Sequence, residues 1–130
     1  MYRAVTHDIE ITAEPRYLAD QSSPDQGRWF WAYTITITNH GDEAVQLLSR
    51  HWKITDGHGR LHEVRGEGVV GEQPLIQPGG SYSYTSGCPL ETPEGIMVGA
   101  YAMVKPDGEM ISVDIPAFSL DSQTTKRVLH

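Results

Sequence analysis

Cysteine is nearly absent from this chain. One residue, Cys88, stands alone among 130. No internal disulfide can form, which excludes a disulfide-stapled secreted scaffold and points to a reducing, cytoplasmic setting. Long apolar runs are absent too. Nothing approaches the roughly 20 consecutive apolar residues of a membrane span. Residues Met1 to Thr12 alternate charged and apolar side chains instead of forming the apolar stretch of a signal peptide. No membrane insertion is expected. Cationic residues are few, with 10 Lys and Arg against 17 Asp and Glu and a net charge of −7. Binding a phosphate backbone depends on Lys and Arg displacing counterions, and the longest basic cluster is Lys126-Arg127. Nucleic acid is therefore not an expected partner. A basic protein surface or a metal cation stays compatible with this charge.

Helical periodicity is also missing, and period-two alternation takes its place. Val5, His7, Ile9, Ile11 and Ala13 alternate with polar residues and predict a half-buried strand. Trp29, Trp31, Tyr33, Ile35 and Ile37 predict a stronger one, rich in aromatic and β-branched side chains. Val45 to Asp56 reads as a third strand whose period slips near Leu47-Leu48, the mark of a bulge. Short strands follow over Arg60 to Val64, Ser81 to Ser86, Met97 to Val104 and Ile111 to Ile115, separated by glycine, proline and asparagine turns. Met97 to Val104 is apolar on both faces, so its outer face is either central in a sheet or covered by something. The expectation is an all-β immunoglobulin-like or fibronectin-III-like sandwich of about seven antiparallel strands. One domain spans 1–130, with an ordered core over about 5–118 and a flexible tail over 119–130.

Gly66-Glu67-Gly68-Val69-Val70-Gly71 spells G-x-G-x-x-G. That spacing holds pyrophosphate when it joins a strand to a helix N-terminus. Here Pro74 follows and no helical period does, so a structural loop is the favoured reading. Asp56, His58, His62, Glu63 and Glu67 lie close in sequence, and imidazole and carboxylate are divalent-metal ligands. In an extended strand His62 and Glu63 point to opposite faces, which leaves His58, His62 and Glu63 as secondary metal candidates only. Cys88 is placed in a loop after a strand, with no histidine tied to it by any signature. No G-x-S-x-G elbow is present. A non-enzymatic chain without a cofactor is expected.

The central block carries a family signature. Arg50-His51-Trp52, Ile54-Thr55-Asp56, Glu63-Val64 and Gly66 to Pro74 resemble the ApaG family, the bacterial ApaG or CorD proteins. Pro78-Gly79, Tyr84 to Leu90, Thr92-Pro93, Gly95, Met97, Gly99, Tyr101 and Met103 continue the pattern in order. The resemblance runs from about Val5 to Phe118. It implies a fibronectin-III-like sandwich and a link to cobalt resistance and magnesium efflux. It also implies an interaction role, as in the related domains of an F-box protein and a DNA-polymerase-interacting protein, and it brings no catalytic residues. The expected function is thus protein binding by a sandwich domain, with Gly66, Gly68, Val69, Val70, Gly71, Gln73, Pro74, Trp52, Tyr82 and Tyr84 as the contact surface. The alternative is direct binding of a divalent metal, or of a pyrophosphate-containing nucleotide at Gly66–Gly71. A homodimer is permitted by the sheet edges.

Overall fold

The computed structural model describes residues 1–122. Nine strands occur among these residues, in chain order: β1 (Tyr2–Thr6), β2 (Ile9–Tyr17), β3 (Trp29–Asn39), β4 (Val45–Asp56), β5 (Leu61–Glu67), β6 (Leu75–Ile76), β7 (Ser81–Leu90), β8 (Glu94–Val104) and β9 (Met110–Asp121). They form two antiparallel sheets, β1-β2-β3-β7 and β5-β4-β8-β9, with β6 following β5 along the same side of β4. The all-β sandwich expected from the alternation is what the chain forms. Two short 3-10 turns, Ala19–Gln21 and Pro24–Gln26, are the helical elements among the described residues.

The two strands beyond seven have local causes. The first predicted strand is a hairpin, because His7 and Asp8 both adopt positive φ, at 52° and 65°. Thr6 then pairs with Ile9 across a two-residue turn. Type I′ turns need φ > 0 at both central residues and match the twist of the strands they join. The second addition is the short β6. Order also extends past the expected 5–118 limits, since β1 starts at Tyr2 and β9 ends at Asp121. The rest of the expected flexible tail, 123–130, lies outside the described residues.

The predicted bulge is present. The β4–β8 register shifts between Leu47 and Ser49, so Val45 and Leu47 before it and Trp52 after it all point into the core. A second bulge, between Met97 and Gly99 in the β8–β9 register, lies beside Pro116, which cannot donate to a ladder. It moves the inward parity of β9 from Ile111, Val113 and Ile115 to Phe118 and Leu120. Tyr33, Trp52 and Phe118 pack ring against ring between the sheets at 5.4–5.9 Å. Such aromatic pairs add stabilisation beyond the area they bury. β8, apolar on both faces, is central in its sheet between β4 and β9, and Ile96 and Val98 on its outer face are exposed.

Candidate functional site

Arg50 of β4 pairs with Gly66 of β5. A Cβ at Gly66 would stand 2.8 Å from the Arg50 guanidinium, so glycine leaves the space in which that side chain crosses β5. Its Nη1 donates to the carbonyl oxygens of Glu67 at 3.1 Å and Gly68 at 2.8 Å. The chain then turns back. Gly68 has φ +65°, and a Cβ there would meet the Glu72 carbonyl oxygen at 2.3 Å. Val69 and Glu72 exchange backbone hydrogen bonds at 2.8 and 2.9 Å. Val70 and Gly71 form the tip between them, at φ 43° and 83°. Gln73 Nε2 donates to the Leu48 carbonyl at 2.9 Å, and Tyr82 Oη donates to Glu72 Oε1 at 2.7 Å.

The segment Gly66 to Pro74 is thus the end of β5 followed by a clamped tight turn. No helix follows Gly71, and the amides of Gly68, Val69 and Glu72 are spent on carbonyls. The helix N-terminus whose free amides would hold a pyrophosphate does not follow this turn. The expected contact residues also divide. Val70 is 56% exposed, and Gly71 and Gln73 are exposed with it. Gly66, Pro74 and Tyr82 are half-buried and Gly68 is buried. Val69, Trp52 and Tyr84 are packed in the core, at 1%, 2% and 8% exposure. The parity change at the β4 bulge turns Trp52 inward, and the left-handed Gly68 turns Val69 inward. Tyr84 shares a buried hydroxyl–hydroxyl bond with Tyr101 at 2.5 Å, and burial pushes both phenols above their ordinary range.

The histidines and carboxylates do not converge on one point. Asp56 is buried, and its Oδ1 accepts the backbone N–H groups of His58 at 2.9 Å and Arg60 at 3.0 Å. Its Oδ2 accepts Arg60 Nε at 2.9 Å. Burial alone would raise this carboxyl, but the two amides and the guanidinium outweigh it and hold it below its ordinary value. His62 Nε2 approaches Asp56 at 3.7 Å. Glu63 faces the other way and bonds His51 Nε2 at 2.7 Å, which lowers its carboxyl. Among the described residues no three His, Cys, Asp or Glu side chains gather as a metal would require.

Cys88 lies within β7, not in a loop after it. Its thiol is buried and pushed up to about 11 by that burial. A thiolate nucleophile needs the opposite shift.

Alternation along the chain does not reveal the concavity at the side of the sandwich. One long side is closed by β1 and β9, where Thr6 Oγ1 accepts the Asp114 N–H at 3.2 Å. On the other side the outer strands β5 and β7 stand apart. A groove of about 810 Å³ opens between them, lined by Trp29, Phe30, Trp52, Ile54, Val64 and Pro89, with Arg28, Arg50, Asp56 and His62 among them. A smaller recess of about 290 Å³ continues past Arg50 to Val70 and Gly71, floored by Trp52, Val69 and Tyr84. Arg50 lines both.

The family model of the ApaG domain matches residues 19–105, and a Protein ApaG from Bradyrhizobium is 60% identical over 130 residues, covering 100% of both chains. The chain belongs to the ApaG family. The resemblance drawn from the central block is thereby shown. The Protein ApaG of Azorhizobium caulinodans is 58% identical over the same full length. A crystal structure of a Bordetella pertussis protein described as ApaA superposes with a TM-score of 0.88, at 48% identity over 93% of this chain and 98% of that one. The sandwich of this chain is thus the fold of that solved relative. No helix among the described residues is long and apolar enough to cross a membrane.

Proposed function

We propose that this ApaG domain is a non-catalytic protein-interaction module whose contact surface is the groove between β5 and β7 together with the exposed tip at Val70 and Gly71. The observation that carries this reading is the groove itself, a preformed concavity lined by tryptophan, phenylalanine and aliphatic side chains. Such a lining with a few polar groups is the usual make-up of an interface core. The groups that would do chemistry there are otherwise engaged: Asp56 by Arg60 and two amides, Cys88 by burial. On this reading the family's association with cobalt resistance and magnesium efflux runs through a cytoplasmic protein partner rather than through an ion held by this chain.

Affinity capture with paired surface variants tests it. Val64, exposed and on the groove wall, is changed to Asp; Val5, also exposed, on β1 away from the groove, is changed to Asp as the control. The expected result is one set of proteins retained by the unaltered chain and by Val5→Asp and lost from Val64→Asp. Equal retention by all three would contradict the proposed surface.

A further inference from the structure

Four strands edge the two sheets, and three of them carry charge. β1 has Arg3, β9 has Asp114 and Asp121, and β5 has Glu63, Arg65 and Glu67. Charged side chains on edges are the common defence against unwanted strand pairing. The ten residues of β7, Ser-Tyr-Ser-Tyr-Thr-Ser-Gly-Cys-Pro-Leu, include no charge. Among the described residues β7 also has β3 as its single strand neighbour.

The phase of its free backbone groups follows from the ladder. The Asn39 N–H donates to the Gly80 carbonyl at 2.9 Å, and the register then runs unbroken from Thr38–Ser81 to Trp29–Leu90. Antiparallel alternation directs the backbone groups of Tyr82, Tyr84, Ser86 and Cys88 toward β3 and those of Ser81, Ser83, Thr85 and Gly87 outward. The proline of β7, Pro89, stands in the outward set, where its missing N–H breaks no ladder bond.

This open edge borders the groove, and the groove holds cations without carboxylate partners. Arg60 is paired with Asp56 and Glu91. Arg50, half-buried, donates to two backbone carbonyls and to no carboxylate among the described residues, and Arg28 pairs with none either. In a chain of net charge −7, two guanidinium groups left without counter-charge beside an apolar cleft complement an anionic ligand group. Arginine suits this because its planar fork matches a carboxylate.

We infer that β7 accepts an extended acidic peptide segment of a partner protein as an added strand. Its backbone pairs with Ser83 to Gly87, its apolar side chains enter the groove, and a carboxylate reaches Arg50. Main-chain pairing would give affinity and the alternate side chains selectivity. The inference rests on the interaction-module reading and specifies what the module binds.

The test pans a phage-displayed library of random linear peptides against the full chain. The consensus peptide is then synthesised, and its binding is measured by fluorescence anisotropy. Selected peptides are expected to combine apolar residues with Asp or Glu. Replacing those acids by Asn or Gln, or making Arg50→Gln, should weaken binding by about tenfold, the scale of one charge-assisted contact. Thr85→Pro should abolish it, because proline there removes an outward N–H and leaves the β3 ladder whole. An unchanged circular-dichroism melt certifies that variant, and Ser83→Pro replaces it if Thr85→Pro fails to fold. Enrichment of peptides without acidic residues, absence of any enrichment, or full binding by both proline variants would each overturn the inference. The same holds for self-association in sedimentation that Thr85→Pro removes, which would make the occupant a second copy. In none of these cases does the capture result with Val64→Asp change, so the broader reading stands or falls separately.

Discussion

Val70 holds a conformation its side chain disfavours. Its φ of 43° is in the left-handed region, where a β-branched residue is strained and where Asn is tolerated. The following residue is Gly71, so Val70→Asn creates the Asn-Gly pair that type I′ turns favour. It should raise unfolding stability by about 1 kcal/mol in urea titration; a loss of stability would contradict the strained turn. A strained exposed apolar residue at the rim of the groove is what a contact role would retain and what stability alone would not.

Asp56 gives a second residue-scale prediction. Its folded-state carboxyl lies below the ordinary 3.8. A depressed carboxyl stabilises the fold above its ordinary value, and that contribution fades as pH falls through the folded one. Asp56→Asn should therefore melt lower than the unaltered chain at neutral pH, and the gap should narrow as the solution is acidified below 3.8. A gap independent of pH would mean that the carboxylate charge does not hold the Asp56–Arg60 turn.

At the scale of elements, alternation made the strands legible but not all of their ends. A two-residue turn keeps the period of two in step, so Val5, His7 and Ile9 read through the His7-Asp8 hairpin as one strand. Ser86-Gly87-Cys88-Pro89 resembles a loop by its glycine and proline, yet it continues β7. A Cβ at Gly87 would meet the Phe30 ring at 2.4 Å, and Pro89 faces the free edge. The bulge at Leu47-Leu48 was readable because the apolar parity slips there within β4 itself. The double change His7→Asn with Asp8→Gly keeps positive φ at both positions with residues that prefer it. It should stabilise the chain by about 1 kcal/mol, read from the midpoint of denaturant unfolding. No gain, or a loss, would argue against a type I′ hairpin at 7–8.

The class of fold and the central aromatic strand follow from local pattern, and the ApaG signature names the family. The groove does not follow, because it is made by the separation of β5 and β7, strands of different sheets that never pair. Of the expected contact residues, Trp52 turns inward through parity across a bulge, Val69 through a left-handed glycine, and Tyr84 through the plain alternation of β7. Val70, Gly71 and Gln73 are exposed, and Arg50, Val64 and Phe30 line the groove.

On the proposed function, proteins meet this domain at the β5–β7 side. Photo-crosslinking in living cells tests it most directly, with benzoylphenylalanine placed in turn at Val64, Val70, Val5 and Met110. Discrete protein adducts from Val64 and Val70, with none from Val5 or Met110, are predicted. Adducts of equal yield from all four positions, or from none, would contradict the account.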